Sequence, residues 1–195
     1  SRYETDLKLL PEGNDPAAFV KALRDVEIAT LTDDYWAKTL PLELSTSASR
    51  GPSLFAYYAA LVLCEAKALF SKGKVADLLD PPAIGNKKPL ERHHLFPKRY
   101  LHKTGVKELR DTNQIANYAL VEWDDNIAIS DIPPKEYWPK YAGRFTEDEL
   151  KDMMHWHALP TGWQEMSYQE FLFARRPMIA QVIKQGYLRL TGQGA

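Results

Sequence analysis

The stretch "ERHHLFPKRYLHKTG" (residues 91–105) places two adjacent histidines, His93 and His94, just before a proline and a run of cations. Residues 87–107 hold seven bases against one acid, whereas residues 1–46 hold nine acids against five bases. A local positive field of this kind suits a phosphate backbone, but a charge run is more often a solvated face. The spacing of other polar residues along the chain must decide between these two interpretations.

Two short segments on either side of a long loop are typical of β-strands. "RHHLF" (92–96) ends at a proline, and "NYALVEW" (117–123) carries tyrosine, valine and tryptophan, which favour extended structure. We expect these segments to pair as a small ribbon. The loop between them predicts a helix that presents cations, and "DDNIAIS" (124–130) predicts a brief helix capped by Asp124 or Asp125. The predicted order is strand, long loop, strand, helix.

Helical signals dominate the rest of the chain. Apolar residues occur on every side of a helical pattern over 52–70, which predicts a buried central helix that ends by Gly73. "TEDE" at Thr146 and "SYQE" at Ser167 each place a glutamate three residues after a capping hydroxyl, so a helix starts at both, and the second continues past Pro177 with a kink. Further helices are predicted from "NDPAAFVKALRDVEIA" (14–29, capped by Asn14 or Asp15) and "TDDYWAKTL" (32–40).

The predicted fold class is α+β and mostly helical. A strand–strand–helix core is predicted over residues 87–135, between one helical flank at 1–86 and another at 136–195. The chain has 195 residues, of which 45% are hydrophobic, and this is enough apolar material for a substantial core. We therefore expect the three parts to form one compact domain.

Composition excludes several classes of protein. The single cysteine, Cys64, rules out an internal disulfide and a cysteine-cluster zinc site. The longest apolar run, "LFAYYAALVLC" (54–64), is well short of the ~20 residues that cross a bilayer. We expect a cytoplasmic protein with no membrane partner. Because the first residues lack both an initiator methionine and a signal-peptide pattern, we also expect a domain that belongs to a longer protein.

The polar residues around the ribbon suit phosphodiester cleavage. That reaction needs a base to take a proton from water, a metal ion to stabilise charge, and cations to hold the backbone. A histidine has a pKa near neutrality, which suits the base, and a hard cation takes mostly oxygen ligands with imidazole tolerated. The histidine pair, Asn117 and Asn126 could supply the base, a scaffold and a ligand.

Three segments together resemble the signature of HNH nucleases: "HHLFP" (93–97), "IANYALVEWDDN" (115–126) and "AISDIPP" (128–134). The resemblance implies two strands and a helix folded around one metal ion. It implies that His93 and Asn126 are metal ligands. It also implies that His94 is the general base, and that Asn117 braces the loop that holds this base. The last motif position is asparagine where many members carry histidine; both variants occur among active relatives, and the difference concerns the identity of the metal more than catalysis. Mg²⁺ is expected, with Mn²⁺ or another transition metal as alternatives.

The resemblance extends to about residues 50–190. "GPSLFAYYAALVLCEAKALFS" (51–71) and "HALPTGWQEMSYQEFLFARRPMIAQVI" (157–183) are similar to the C-terminal nuclease region of GmrSD-type modification-dependent restriction endonucleases. This implies a DNA substrate, including modified phage DNA, and a role in defence against phage. It also implies an N-terminal nucleotide-using domain outside this sequence. Lys98, Arg99 and Lys103 would contact the DNA backbone, and a double-strand break would need two copies of the site or two visits.

Two other functions fit the same residues. A catalytically inactive nucleic-acid-binding or regulatory module would retain the shape of the motif, and a structural metal site would need no nucleic acid. One geometric difficulty affects the nuclease hypothesis. Successive side chains of a regular strand point to opposite faces, so His93 and His94 reach one site only where the strand is irregular.

Several other side chains have both a functional and a structural interpretation. His155 and His157 could bind zinc from one strand face, but packing at a helix end or in the core is the preferred interpretation. Trp123, Tyr137 and Trp138 could stack on bases, but buried anchors of the core are the preferred interpretation. Arg175 and Arg176 could contact DNA, and a solvated helix face explains them at least as well. His102 is expected at the surface or against phosphate.

Overall fold

A computed structural model of the chain describes residues 15–47, 51–79 and 89–193, together with the isolated residues 4 and 8. The described residues are mostly helical and contain one two-stranded antiparallel sheet, which confirms the α+β class. Asn14, Lys87 and Lys88, which were considered as a cap and as part of the basic run, lie outside the described residues.

The elements follow one another with short connections. The first half contains α1 (Pro16–Thr30), a π-helical segment (Tyr35–Thr39), α2 (Leu40–Glu43), α3 (Pro52–Leu63), α4 (Val75–Leu79), β1 (Leu90–His94), α5 (Lys98–Lys103) and α6 (Leu109–Thr112). A 3₁₀ turn (Ile115–Asn117) then leads to β2 (Tyr118–Glu122), α7 (Trp123–Ile129), α8 (Pro134–Ala142), α9 (Glu147–Trp156), a 3₁₀ turn (Trp163–Glu165) and α10 (Tyr168–Leu190).

Local signals predicted most helix starts correctly. The Asp15 carboxylate accepts a hydrogen bond from the Ala17 N–H at 2.9 Å, and a proline occupies the first turn of α1. Thr146 and Ser167 each form a complete capping box with the glutamate three residues later. As predicted, α10 continues past Pro177 without a break in the helix.

The central helix is shorter than predicted. It ends at Leu63 and not near Phe70, because the backbone turns at Glu65 and again at Phe70, both of which have positive φ. The residues between these turns are extended, and the Leu69 N–H donates to the Leu120 carbonyl oxygen of β2 at 2.9 Å. A fully buried apolar run has the same pattern in a helix and in an extended segment, so periodicity could not separate them.

The predicted ribbon is present, but its first strand covers Leu90–His94 and not 92–96, because the chain bends at Leu95 and Phe96. β1 and β2 pair antiparallel, with His93 opposite Ala119 and His94 opposite Tyr118. α7 begins at Trp123 directly after β2, so the predicted aspartate cap is wrong. The N-cap position is Glu122, which makes no side-chain capping bond, and the two aspartates lie in the first turn. This direct transition from strand to helix places α7 beside β1.

The C-terminal helix α10 forms the base on which the ribbon and α3 pack. α3 and α10 cross so closely that a Cβ built at Gly186 lies 2.6 Å from the Ala60 Cβ. Phe96, two residues after His94, packs on Phe171 of α10 with ring centroids 4.9 Å apart. Tyr137 and Trp138 are buried, as the core-anchor interpretation predicted. None of the helices in the described residues is both long enough and apolar enough to span a membrane.

Candidate active site

A cavity of about 250 Å³ opens where β1 ends. β1, the start of α5 and the end of α7 contribute its walls, and the lining residues are His93, His94, Pro97, Lys98, Arg99, Asn126, Ser130 and Asp131. Of the seven residues proposed from sequence for the site, five line this cavity. Of the other two, Asn117 lies behind the cavity, and Lys103 lies beside it at the end of α5.

His93 and Asn126 lie in direct contact. The His93 Nδ1 atom is 2.9 Å from the Asn126 Oδ1 atom, and the His93 side chain is 2% exposed. An amide oxygen accepts hydrogen bonds and cannot donate one, so Nδ1 donates in the protein alone. The contact exists because α7 starts without a loop after β2, which carries Asn126 back across the end of β1.

The donor atoms of this pair fit a divalent cation. Two ligands bound side by side to one octahedral ion, each at about 2.1 Å, lie about 3 Å apart, which is the spacing of His93 Nδ1 and Asn126 Oδ1. In the described residues, no group of three or more histidine, cysteine, aspartate or glutamate side chains is arranged to hold a metal ion. An ion held by this pair would take its other ligands from water or phosphate.

The second nitrogen of His93 has an unusual environment. Nε2 is buried and has no hydrogen-bond partner among the described residues. The imidazole lies against the Tyr137 ring, with centroids 5.9 Å apart and the planes at 83°. Buried polar atoms without a partner are rare in native proteins, and the Nδ1 atom of His157 and the Nε1 atom of Trp163 share this property among the described residues.

His94 lines the same cavity although it follows His93 directly in the strand. It is the last residue of β1, whose pairing with β2 is regular through His94, and the chain bends only afterwards, at Leu95 and Phe96. The expected irregularity therefore lies after the two histidines and not between them. The His94 Nε2 atom lies 3.0 Å from the Asn113 Oδ1 atom, and its ring packs on Tyr118 with centroids 4.7 Å apart.

Both histidines are neutral at pH 7. Burial lowers the pKa of His93 from 6.5 to about 4, against the opposing effects of the Asn126 hydrogen bond and the Asp125 carboxylate. Burial also lowers the pKa of His94 to about 4, and the Lys98 cation acts in the same direction, while the Asn113 hydrogen bond opposes both. A neutral imidazole keeps one lone pair, which a base or a metal ligand requires.

Asn117 joins the loop after β1 to the segment before β2. Its side chain is fully buried; Oδ1 accepts from the Phe96 N–H at 2.8 Å, and Nδ2 donates to the Phe96 carbonyl at 3.0 Å. The same Nδ2 donates to the Thr112 carbonyl at 3.1 Å. The two contacts to Phe96 lie within two residues of His94, so they fix the backbone that carries this histidine.

The three predicted DNA-contacting cations occupy different positions. Lys98 and Arg99 line the cavity at the start of α5. Lys103 does not line it, and its ammonium lies 3.6 Å from an Asp131 carboxylate oxygen with 74% of the side chain exposed. Exposed ion pairs contribute little free energy, so Lys103 is readily available to another anion.

Both interpretations of Arg175 from sequence are wrong. Its side chain is fully buried, and it contacts neither solvent nor an open surface. Nη1 donates to the carbonyls of Ala116 and Tyr118 at 2.8 and 2.9 Å, and Nε and Nη2 donate to the His157 carbonyl at 3.1 and 2.8 Å. Its spacing of four residues from Phe171 and from Ile179 was the signal that placed it on the buried face of a helix.

His155 and His157 point to different surroundings and do not form a metal site. His155 is exposed in the last turn of α9, and its Nε2 lies 3.0 Å from Gln185 Oε1. His157 follows α9 in the C-cap position, is fully buried, and donates from Nε2 to the Lys67 carbonyl oxygen at 2.9 Å. The helix-end and core-packing interpretation is therefore correct.

We expect stability to fall as the pH falls below 6.5, partly because of His157. Burial lowers its pKa to about 4 in the folded protein. Between pH 6.5 and 4 the unfolded chain binds a proton that the native state excludes, so the free energy of unfolding loses about 3 kcal/mol from this residue by pH 4. Urea unfolding at several pH values should show a smaller loss for His157→Gln than for the wild type. His155→Gln changes the exposed neighbour and should lose as much free energy of unfolding as the wild type. An equal dependence of this free energy on pH in all three proteins would contradict the assignment of the loss to His157.

Comparisons of the chain with protein-family models, with curated proteins and with solved structures find no match. The functional conclusion therefore depends on the side chains that meet at the cavity and on their chemistry.

Proposed function

We propose that this chain is a metal-dependent nuclease domain of the HNH type that hydrolyses DNA phosphodiester bonds. The observation that carries the proposal is the 2.9 Å approach of His93 Nδ1 and Asn126 Oδ1 in a cavity that His94 also lines. In this proposal β1, β2 and α7 are the ββα-metal core of that family.

Each site residue has a separate role in the proposed reaction. A divalent ion bound by His93 and Asn126, expected to be Mg²⁺ with Mn²⁺ or another transition metal as alternatives, would stabilise negative charge on the phosphate and on the departing oxygen. His94 takes a proton from the attacking water while the water oxygen bonds to phosphorus and the scissile P–O bond breaks. Asn117 holds the loop after His94, so the base stays in place through the reaction.

The cations beside the cavity suit the flanking phosphates. Lys98 and Arg99 line its rim, and Lys103 can exchange Asp131 for a phosphate because their ion pair is exposed. Contacts of this kind fix the position of a nucleic acid without reading its sequence. Salt should therefore weaken DNA binding, since each phosphate contact releases counterions.

The wider setting that we propose follows from the resemblance of residues 50–190 to GmrSD-type restriction proteins. The chain would be the effector part of a phage-defence protein, acting in the cytoplasm on DNA that includes modified phage DNA. An N-terminal domain that uses a nucleotide would control it. Recognition of a modified base would then belong to that domain.

A plasmid assay with a metal-ligand variant tests the proposal. The wild-type protein should nick supercoiled plasmid in Mg²⁺ or Mn²⁺ and stop on addition of EDTA. Asn126→Ala removes the amide oxygen ligand, so at limiting metal we expect at least about 10-fold slower nicking and about 10-fold weaker Mn²⁺ affinity by calorimetry. Asp124→Asn, an exposed change in the same helix, is the matched control and should retain both values.

Two outcomes would contradict the proposal. Nicking that persists in EDTA, or an Asn126→Ala protein with wild-type metal affinity and rate, would exclude the proposed ligand. Retention of DNA without nicking across several divalent ions, on plain and on phage-modified DNA, would instead favour the catalytically inactive binding module.

A further inference from the structure

The His94 imidazole contacts a polar side chain that no motif indicated. Its Nε2 atom lies 3.0 Å from Oδ1 of Asn113, which occupies the C-cap position of α6. Asn113 is four residues before Asn117 in the chain, and its own N–H donates to the Leu109 carbonyl at 2.9 Å. The side chain therefore projects from the fixed end of a helical turn.

The backbone around Asn113 is held from two directions. The Thr112 carbonyl accepts from Asn117 Nδ2 at 3.1 Å, and the Asp111 carbonyl accepts from the Tyr168 hydroxyl of α10 at 2.7 Å. Because Asn117 also holds Phe96, one amide fixes both the segment that carries His94 and the segment that carries its partner. The distance between the imidazole and the amide oxygen is thus set by buried contacts.

The chemistry of this contact selects one form of the imidazole. A neutral imidazole carries a proton on one nitrogen and a lone pair on the other. The Asn113 oxygen can only accept, so Nε2 carries the proton and Nδ1 keeps the lone pair. The opposite tautomer would place two lone pairs against each other at 3.0 Å. The contact also restricts rotation of the ring, which already packs on Tyr118.

We propose that Asn113 is a positioning residue for His94: it fixes the tautomer with the proton on Nε2 and leaves Nδ1 as the atom that accepts the proton of the attacking water. This inference rests on the proposed nuclease function, in which His94 is the base. Asn113 touches neither the substrate nor the metal ligands in this role, so it affects the rate through His94 alone.

Two substitutions of Asn113 distinguish the effect of losing the acceptor oxygen from the effect of changing the volume of the side chain. Asn113→Leu keeps the volume and removes the acceptor, whereas Asn113→Asp keeps an oxygen at the same place. We expect Asn113→Leu to lower kcat for plasmid nicking by about 10-fold or more, with KM and Mn²⁺ affinity unchanged. Asn113→Asp should stay within about 3-fold of the wild type. Gln114→Leu, whose side chain contacts Arg176 and not His94, is the control and should keep the wild-type kcat.

A second measurement needs neither metal nor activity. Long-range ¹H–¹⁵N spectra of the metal-free protein at pH 7 should show His94 as one tautomer, protonated on Nε2, in the wild type and in Asn113→Asp. In Asn113→Leu the spectra should show a mixture of tautomers.

A wild-type kcat together with a single His94 tautomer in Asn113→Leu would overturn the inference. Equal losses of kcat and of melting temperature in Asn113→Leu and Asn113→Asp would also overturn it, because they would assign Asn113 to helix capping. Failure of the proposed function is distinguishable. If His94→Ala still cleaves, His94 is not the base; if His94→Ala is inactive while Asn113→Leu is fully active, the role of Asn113 alone is wrong.

Discussion

His94→Ala is expected to lower the kcat of plasmid nicking by about 10²- to 10⁴-fold, the range typical of a lost general base. In the proposed reaction, the substitution removes the atom that accepts the proton of water and leaves the two proposed metal ligands, His93 and Asn126, in place. The ring of His94 packs on Tyr118 and bonds to Asn113, so its removal changes few contacts of the core. The protein should therefore remain folded, with its Mn²⁺ affinity unchanged.

The measurement compares single-turnover nicking rates with binding of Mn²⁺ and of DNA. His102→Ala is the matched control, because His102 is exposed on α5, close to the same cations, and is outside the cavity lining. We expect His102→Ala to nick at nearly the wild-type rate. A His94→Ala protein within about 3-fold of the wild type would remove His94 from the mechanism, since a general base contributes far more than that.

Arg175→Met is expected to lower the free energy of unfolding by about 4 kcal/mol or more. Methionine fills much of the same volume but leaves three buried carbonyl oxygens, those of Ala116, Tyr118 and His157, without the donors of Arg175. Among the described residues no carboxylate lies within ion-pair distance of this guanidinium, so the carbonyls are its main partners. Each acceptor left unpaired in a buried site is costly.

Urea unfolding at pH 7 measures this effect. Arg176→Met is the neighbouring control: Arg176 is only half-buried, and its Nη2 makes one long bond of 3.3 Å to Gln114, so we expect a change within about 1 kcal/mol. A small change in Arg175→Met would mean that water or a shifted side chain satisfies the three carbonyls. Because Ala116 and Tyr118 flank Asn117, nicking by Arg175→Met should also fall at temperatures where it is still folded.

Structure that depends only on residues close together in the chain could be predicted from the sequence. The capping boxes at Thr146 and Ser167 need atoms three residues apart, and both are present. β2 carries its own β-favouring residues, Tyr118 and Val121, and it pairs antiparallel with β1 as predicted. The end of α3 at Leu63 was not predictable from neighbouring residues. Leu69, which follows this helix, pairs with Val121 of β2, more than fifty positions later in the chain.

The same distinction between local and long-range contacts applies to the candidate site. The resemblance to HNH nucleases indicated His93, His94, Asn117 and Asn126; three of them line one cavity, and Asn117 lies behind it and bonds to the loop after His94. The contact of Asn113 with His94 depends on the path of a loop, which no local pattern fixes. The spacing of Arg175 from Phe171 and Ile179 indicates a buried helix face, but its partners are main-chain carbonyls, which are identical for every residue type and which no sequence pattern identifies.

The Asn117 side chain bonds to the backbone of Phe96, so residues 96–117 form a loop that is closed at its base. Helix α5, which carries the cations, lies within this loop. The same side chain also holds the Thr112 carbonyl, so the segment between Phe96 and Thr112 is tied at both ends, and the fully buried Leu101 anchors α5 to the core. Exposed side chains of this segment, such as Arg99 and Lys103, can therefore be replaced without a change in these anchoring contacts. Under the proposed function, affinity for the phosphate backbone would then change separately from the rate of bond cleavage.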